Sequence, residues 1–188
     1  MPDISSASPS RYLKYYFRMK IAELRAQFEY NRWAQERTLD AASLLGSSKY
    51  SQGSPSLCSV LQSLLAEEVV WLSRWEGHSL AEFPDYTECA DVTGLMVRWK
   101  SFWNRQMRFV ESLSEDELGR PISIRMDNGL ETDQSLGETM THVLNQATSL
   151  RGEAAILIGQ LGGQRPAADY FSYCLERGSE AADETIVP

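Results

Sequence analysis

The chain has 188 residues, 43% of them hydrophobic and 23% charged, with five Trp and eight Tyr. That is one domain of ordinary soluble composition, long enough to bury a sizeable core. A net charge of −8 speaks against a nucleic-acid groove, which needs a basic patch. The basic residues Arg98, Lys100, Arg105 and Arg108 fall on the polar positions of one helix.

No apolar run reaches the roughly 18–20 residues that a membrane-spanning helix requires. The opening segment MPDISSASPS lacks a basic-then-apolar leader. The expected location is the cytoplasm, with no membrane and no nucleic acid as partner. Three widely spaced cysteines, Cys58, Cys89 and Cys174, make neither a disulfide framework nor a zinc pattern, which suits a reducing compartment.

Residues 1–10 are Ser- and Pro-rich and are expected to be disordered. From Arg11 to about Leu45 no Pro or Gly interrupts the chain, and Leu13, Phe17, Ile21, Leu24 and Phe28 recur at helical steps. This predicts a first long helix, and GSSKYSQGSP (46–55) reads as a linker. A second helix is predicted over about 56–75, ending at Gly77, with a loop over 77–90.

A third helix is predicted over about 91–113, burying Leu95, Trp99, Phe102, Trp103, Phe109 and Val110. Ser114 and Glu117 then mark a short capped turn. Asp127-Asn128-Gly129 signals a hairpin. A fourth long helix is predicted over about 135–161, stopping at Gly162-Gly163. The aromatic tail DYFSYCLERG follows, and residues 179–188 are expected to be disordered.

The whole chain, 1–188, thus reads as a single all-α domain. Its architecture is a four-helix bundle with a small β-hairpin between the third and fourth long helices. Bundle sites are built from side chains on facing helices. Two charges fall on apolar faces: Glu68 within the stripe Leu57, Leu61, Leu64, Trp71, Leu72, and Arg151 within the arc Leu144, Ala147, Ala154, Ile158. A buried charge needs a partner, so a Glu68–Arg151 pair across the core is expected. Such a pair either braces two helices or lines a polar pocket for a ligand's charged group. His142 and Gln146 lie at the edge of the same arc. His142 is the acid or base available near neutral pH, although a lone His there also suits packing. The second histidine, His78, sits in a loop. No nucleotide loop, catalytic triad order or HExxH pattern is present.

Taken together, YNRWAQERTLDAA (30–42), LLAEEVVWL (64–72), LSEDELGRPI (113–122), the DNG turn and HVLNQATSLRGEAAILIGQLG (142–162) resemble the DinB-like (YfiT-type) metalloenzyme family. The resemblance runs from about Leu24 to Glu176. It implies a four-helix bundle, often a homodimer, that carries a divalent metal such as zinc or nickel on three histidines. Some members are transferases acting with low-molecular-weight thiols.

Carried onto this chain, the family's ligand eight residues before the helix tryptophan is Ser63, and the His-x3-His before Arg-Gly is Gln146 and Leu150. Glu68, Trp71, Asn145, Arg151 and Gly152 match as they stand. All three expected metal ligands are replaced, so no cofactor is expected. A residual metal site would have to combine His142 with Glu67 or Glu68.

Two functions stay open. One is a metal-independent, transferase-like enzyme performing group transfer or isomerisation on a small molecule. His142, Glu68 and Arg151 would be its catalytic residues, with Ser63, Asn145, Gln146 and Trp71 binding the ligand. The other is a non-catalytic ligand-binding or interaction protein. It is favoured if His142 faces solvent or is held in packing.

Overall fold

The computed structural model describes residues 20–51, 53, 55–78, 91–125, 129 and 131–184. It is mostly helical: α1 Ile21–Ser43, α2 Ser47–Tyr50, α3 Leu57–Glu76, α4 Val92–Ser112, α5 Leu136–Gln160 and α6 Tyr170–Glu184. A 3-10 turn, Asp116–Gly119, and an antiparallel hairpin, β1 Pro121–Arg125 with β2 Glu131–Ser135, stand between α4 and α5. The expected helix over 11–19, the Asp127-Asn128 half of the turn, most of the 77–90 loop with Cys89, and residues 1–10 lie outside the described residues.

The helix ends follow local chemistry. Ser56 accepts a hydrogen bond from the Ser59 amide and caps α3, and Asp91 does the same for α4 through Gly94. Ser135 and Glu138 form a reciprocal capping box at α5, worth roughly 0.5–2 kcal/mol. Gly77 closes α3 at φ 78°, a left-handed conformation that a side chain would strain.

Both α1 and α3 pack against α4 and α5, so the apolar faces enclose one core. Phe28 meets Trp75 edge-on at 6.1 Å, and the Trp75 indole N–H donates to Thr139 Oγ1 at 3.0 Å. Each large side chain buried there contributes about 1.5–3 kcal/mol. Five of the six side chains predicted for the third helix are buried, among them Trp99 and Trp103, and Phe109 is half-buried. Arg25 of α1 donates to the carbonyls of Val110, Glu111 and Leu113, tying α1 to the end of α4.

Two expectations change. The aromatic tail is a helix, α6, which runs to Glu184; residues 179–184 are therefore helical, and only 185–188 lie outside the description. This adds a long helix to the expected four. It packs on α1 through Tyr30–Tyr170 at 5.1 Å and Trp33–Tyr173 at 5.4 Å. The Trp33 indole donates to Glu176, and Arg177 pairs with Glu29 at 2.9 Å. Within the linker, α2 inserts Tyr50 into the core. Among the described residues no helix is long and apolar enough to cross a membrane.

Candidate functional site

One seam of the buried face of α1 reads Leu24, Phe28, Asn31, Gln35, Thr38, Ala42, with Ala34 and Leu39 buried beside it. The steps alternate four and three, so all six residues point the same way. Three of the six are polar, and two of them meet Glu68 of α3. Asn31 Nδ2 donates to Glu68 Oε1 at 3.1 Å, Gln35 Nε2 donates to the same oxygen, and Gln106 Nε2 of α4 donates to Oε2 at 3.1 Å. Glu68 is 1% exposed. Burial raises its pKa, against the opposing pull of the Asn31 and Gln106 amides, the Arg151 charge and Gln35.

Arg151 reaches this cluster from α5. It is 5% exposed; its Nη1 donates to Asn31 Oδ1, and its Nη2 donates to Thr148 Oγ1 at 3.0 Å. The guanidinium lies 5.6 Å from the centre of the Tyr30 ring, within cation–π range. The expected direct pair is therefore a relay, with Asn31 between the two charges. Among the described residues no carboxylate reaches ion-pair distance of Arg151. Burial pushes the guanidinium pKa down.

The far side of Arg151 is open. A cavity of about 290 Å³ is lined by Tyr30, Thr38, Thr148, Arg151, Ala168 and Asp169, among others. Tyr30 Oη donates to the Ala168 carbonyl at 3.0 Å, tying the segment before α6 to the cavity wall. Asp169 accepts from the Ser172 amide and hydroxyl, and these bonds hold its carboxyl below its ordinary pKa.

His142 is elsewhere. It is exposed, and its ring meets Trp71 edge-on at 5.5 Å. Both line a separate cavity of about 380 Å³ with Ile124, Thr132, Gln134 and Glu138. The structure thus joins Glu68 to Arg151 but does not bring His142 to either. A metal site combining His142 with buried Glu68 has no geometric basis. Among the described residues no group of three or more His, Cys, Asp or Glu could hold a metal ion.

The contacts Trp75–Thr139 and Trp71–His142 show α3 and α5 running antiparallel. Two turns further along, about 12 Å, Ser63 comes level with Leu150, with Gln146 one turn away. Ser63, Asn145 and Gln146 are exposed and Leu150 is half-buried. Of the three positions that the family resemblance assigns to metal ligands, Ser63 and Leu150 thus fall level on facing helices, with Gln146 one turn from them on α5.

The sequence model of the DinB family matches residues 19–180. The chain belongs to the DinB family. It is also similar to Protein DinB of Bacillus subtilis (strain 168), 22% identical over 166 residues that cover 82% of this chain and 95% of that protein. No solved structure gives a significant match. In this DinB-family chain Asn31, Gln35 and Gln106 escaped the sequence reading, although each occupies a core step of its helix. A polar residue inside an apolar stripe was the available signal.

Proposed function

We propose that the protein is a four-helix-bundle member of the DinB family that works without the family's metal and binds a small carboxylate in the cavity under Arg151. One observation carries this reading: a guanidinium that is 5% exposed faces a cavity of about 290 Å³ and touches no carboxylate among the described residues. Asn31 and Thr148 each take one N–H and Tyr30 also bonds the guanidinium, which leaves donors over from an arginine's five. A planar carboxylate matches the remaining fork. The single cation and the neighbouring Asp169 disfavour a dianion such as phosphate, and Tyr30, Ala155 and Pro166 suit a small apolar body.

The family's metal does not fit these residues. Ser63 and Gln146 offer a hydroxyl and an amide, and Leu150 offers no donor, where a zinc-type site takes three or four nitrogen, sulfur or carboxylate ligands. Exposure of His142 and its packing on Trp71 favour a binding role over catalysis. A cytoplasmic homodimer belongs to the same reading.

The test is a thermal-shift series with propionate, benzoate, inorganic phosphate, zinc and nickel. Propionate or benzoate should raise Tm while phosphate and both metals leave it unchanged. A rise with a metal and none with a carboxylate overturns the proposal.

An enzymatic reading retains one favourable observation: His142 and Glu138 line the same cavity beside Trp71. In that reading His142 moves a proton during group transfer or isomerisation of a molecule seated against Trp71. Occupancy of that cavity by a titrated small molecule, seen as quenching of Trp71 fluorescence, would favour it.

A further inference from the structure

We propose that Glu68 is a proton-linked counter-charge for Arg151: when a carboxylate occupies the cavity on Arg151, Glu68 takes up a proton on Oε2 and the Gln106 amide turns over to accept it. The inference rests on the carboxylate reading of that cavity and adds its regulation.

The hydrogen-bond directions around Glu68 are nearly all dictated. Arg151 can only donate, so Asn31 must present Oδ1 to it and Nδ2 to Glu68. The Trp103 indole can only donate, and it reaches Gln35 Oε1 at 2.7 Å, so Gln35 must present Nε2 to Glu68. Both fixed donors converge on Oε1, which must remain an acceptor. A proton can therefore sit only on Oε2.

Oε2 faces Gln106, and no obligate donor fixes that amide. Gln106 Oε1 is buried and has no hydrogen-bond partner among the described residues. Buried carbonyl oxygens are rarely left so. Turning the amide by half a rotation points this oxygen at Oε2, where a protonated Glu68 would donate to it. The cluster thus has one ready arrangement for an ionised Glu68 and another for a neutral one.

The charges that face Glu68 decide between them. From α5 the facing charge is Arg151; α1 faces Glu68 with the amides of Asn31 and Gln35, and α4 with that of Gln106. The other titratable groups on the cavity, Tyr30 and Asp169, lie on the Arg151 side of the relay. Arg151 is then the one cation that favours ionised Glu68 inside a site where burial opposes it. A ligand carboxylate on Arg151 cancels that support. Ligand binding should accordingly take up about one proton and tighten by up to about tenfold per pH unit as pH falls.

Carbon-13 labelling of glutamate side chains reads the Glu68 carboxyl directly, and Glu68→Gln identifies its signal by loss. The titration midpoint is measured in the wild-type protein, with saturating benzoate, and in Arg151→Gln, which removes the cation but keeps a donor for Asn31. The midpoint should rise by about one pH unit or more both with benzoate and in the variant. An unmoved midpoint in both overturns the linkage. A rise in the variant alone, with no benzoate binding, overturns the carboxylate reading of the cavity and leaves the Glu68–Arg151 linkage standing. A bound benzoate that leaves the midpoint in place overturns the inference and spares the reading it rests on.

Discussion

Glu68 and Arg151 share one amide: Asn31 donates to the carboxylate through Nδ2 and accepts from the guanidinium through Oδ1. Two opposite charges on facing helices are thereby compensated without touching. Another flank of the guanidinium lines the cavity. The arrangement also makes a neutral side chain the most consequential of the three.

Asn31→Ala should leave each charge short of a partner in a buried place, at a cost of about 3–5 kcal/mol by analogy with breaking a buried pair. Equilibrium urea denaturation of the variant checks this. A loss below about 1 kcal/mol would mean that water replaces the amide and that the relay is incidental.

Glu68 contributes to the pH dependence of stability. Its folded pKa lies above the ordinary carboxylate value because burial disfavours the charge. Between the unfolded and folded pKa values the folded state binds more protons, so this group makes stability fall as pH rises through that window. Glu68→Gln mimics the neutral form and should flatten the decline. Unfolding free energy measured at several pH values in both proteins decides it, and an unchanged slope would contradict the assignment.

His142→Ala should change stability by little more than the loss of one ring contact, about 0.5–1.5 kcal/mol, and should leave carboxylate binding under Arg151 intact. Weakened binding in this variant would join the two cavities and revive a role for the imidazole.

Restoring the family's ligands tests the register. The triple variant Ser63→His, Gln146→His, Leu150→His places two imidazoles one turn apart on α5 opposite a third on α3, and should bind zinc or nickel with near one-to-one stoichiometry by elemental analysis. Metal-free protein after loading would mean that these positions do not converge.

Much of the helical order was legible because apolar residues recur at helical steps; the caps Ser56, Asp91 and Ser135, which fix the starts, are seen in the structure. Glu68 and Arg151 were legible as charges inside apolar stripes. Asn31, Gln35 and Gln106 were not, since an uncharged amide in a stripe lowers its hydrophobicity without announcing a charge that needs a partner. Helix α6 was missed for a different reason. Its contacts with α1 run through Tyr170, Tyr173, Glu176 and Arg177, a face of rings and ion pairs where aliphatic periodicity is absent. The Asp169-x-x-Ser172 cap was the overlooked signal. The remoteness of His142 from Glu68 depends on how α3 and α5 are rotated, which sequence spacing on either helix alone does not state.

Calorimetric titration of benzoate into wild-type and Arg151→Lys protein tests the central claim most directly. Binding to the wild type that weakens by about tenfold or more in the lysine variant, which keeps the charge but loses the planar fork, is the predicted result. Equal binding to both proteins, or none to the wild type, would contradict a carboxylate site built on Arg151.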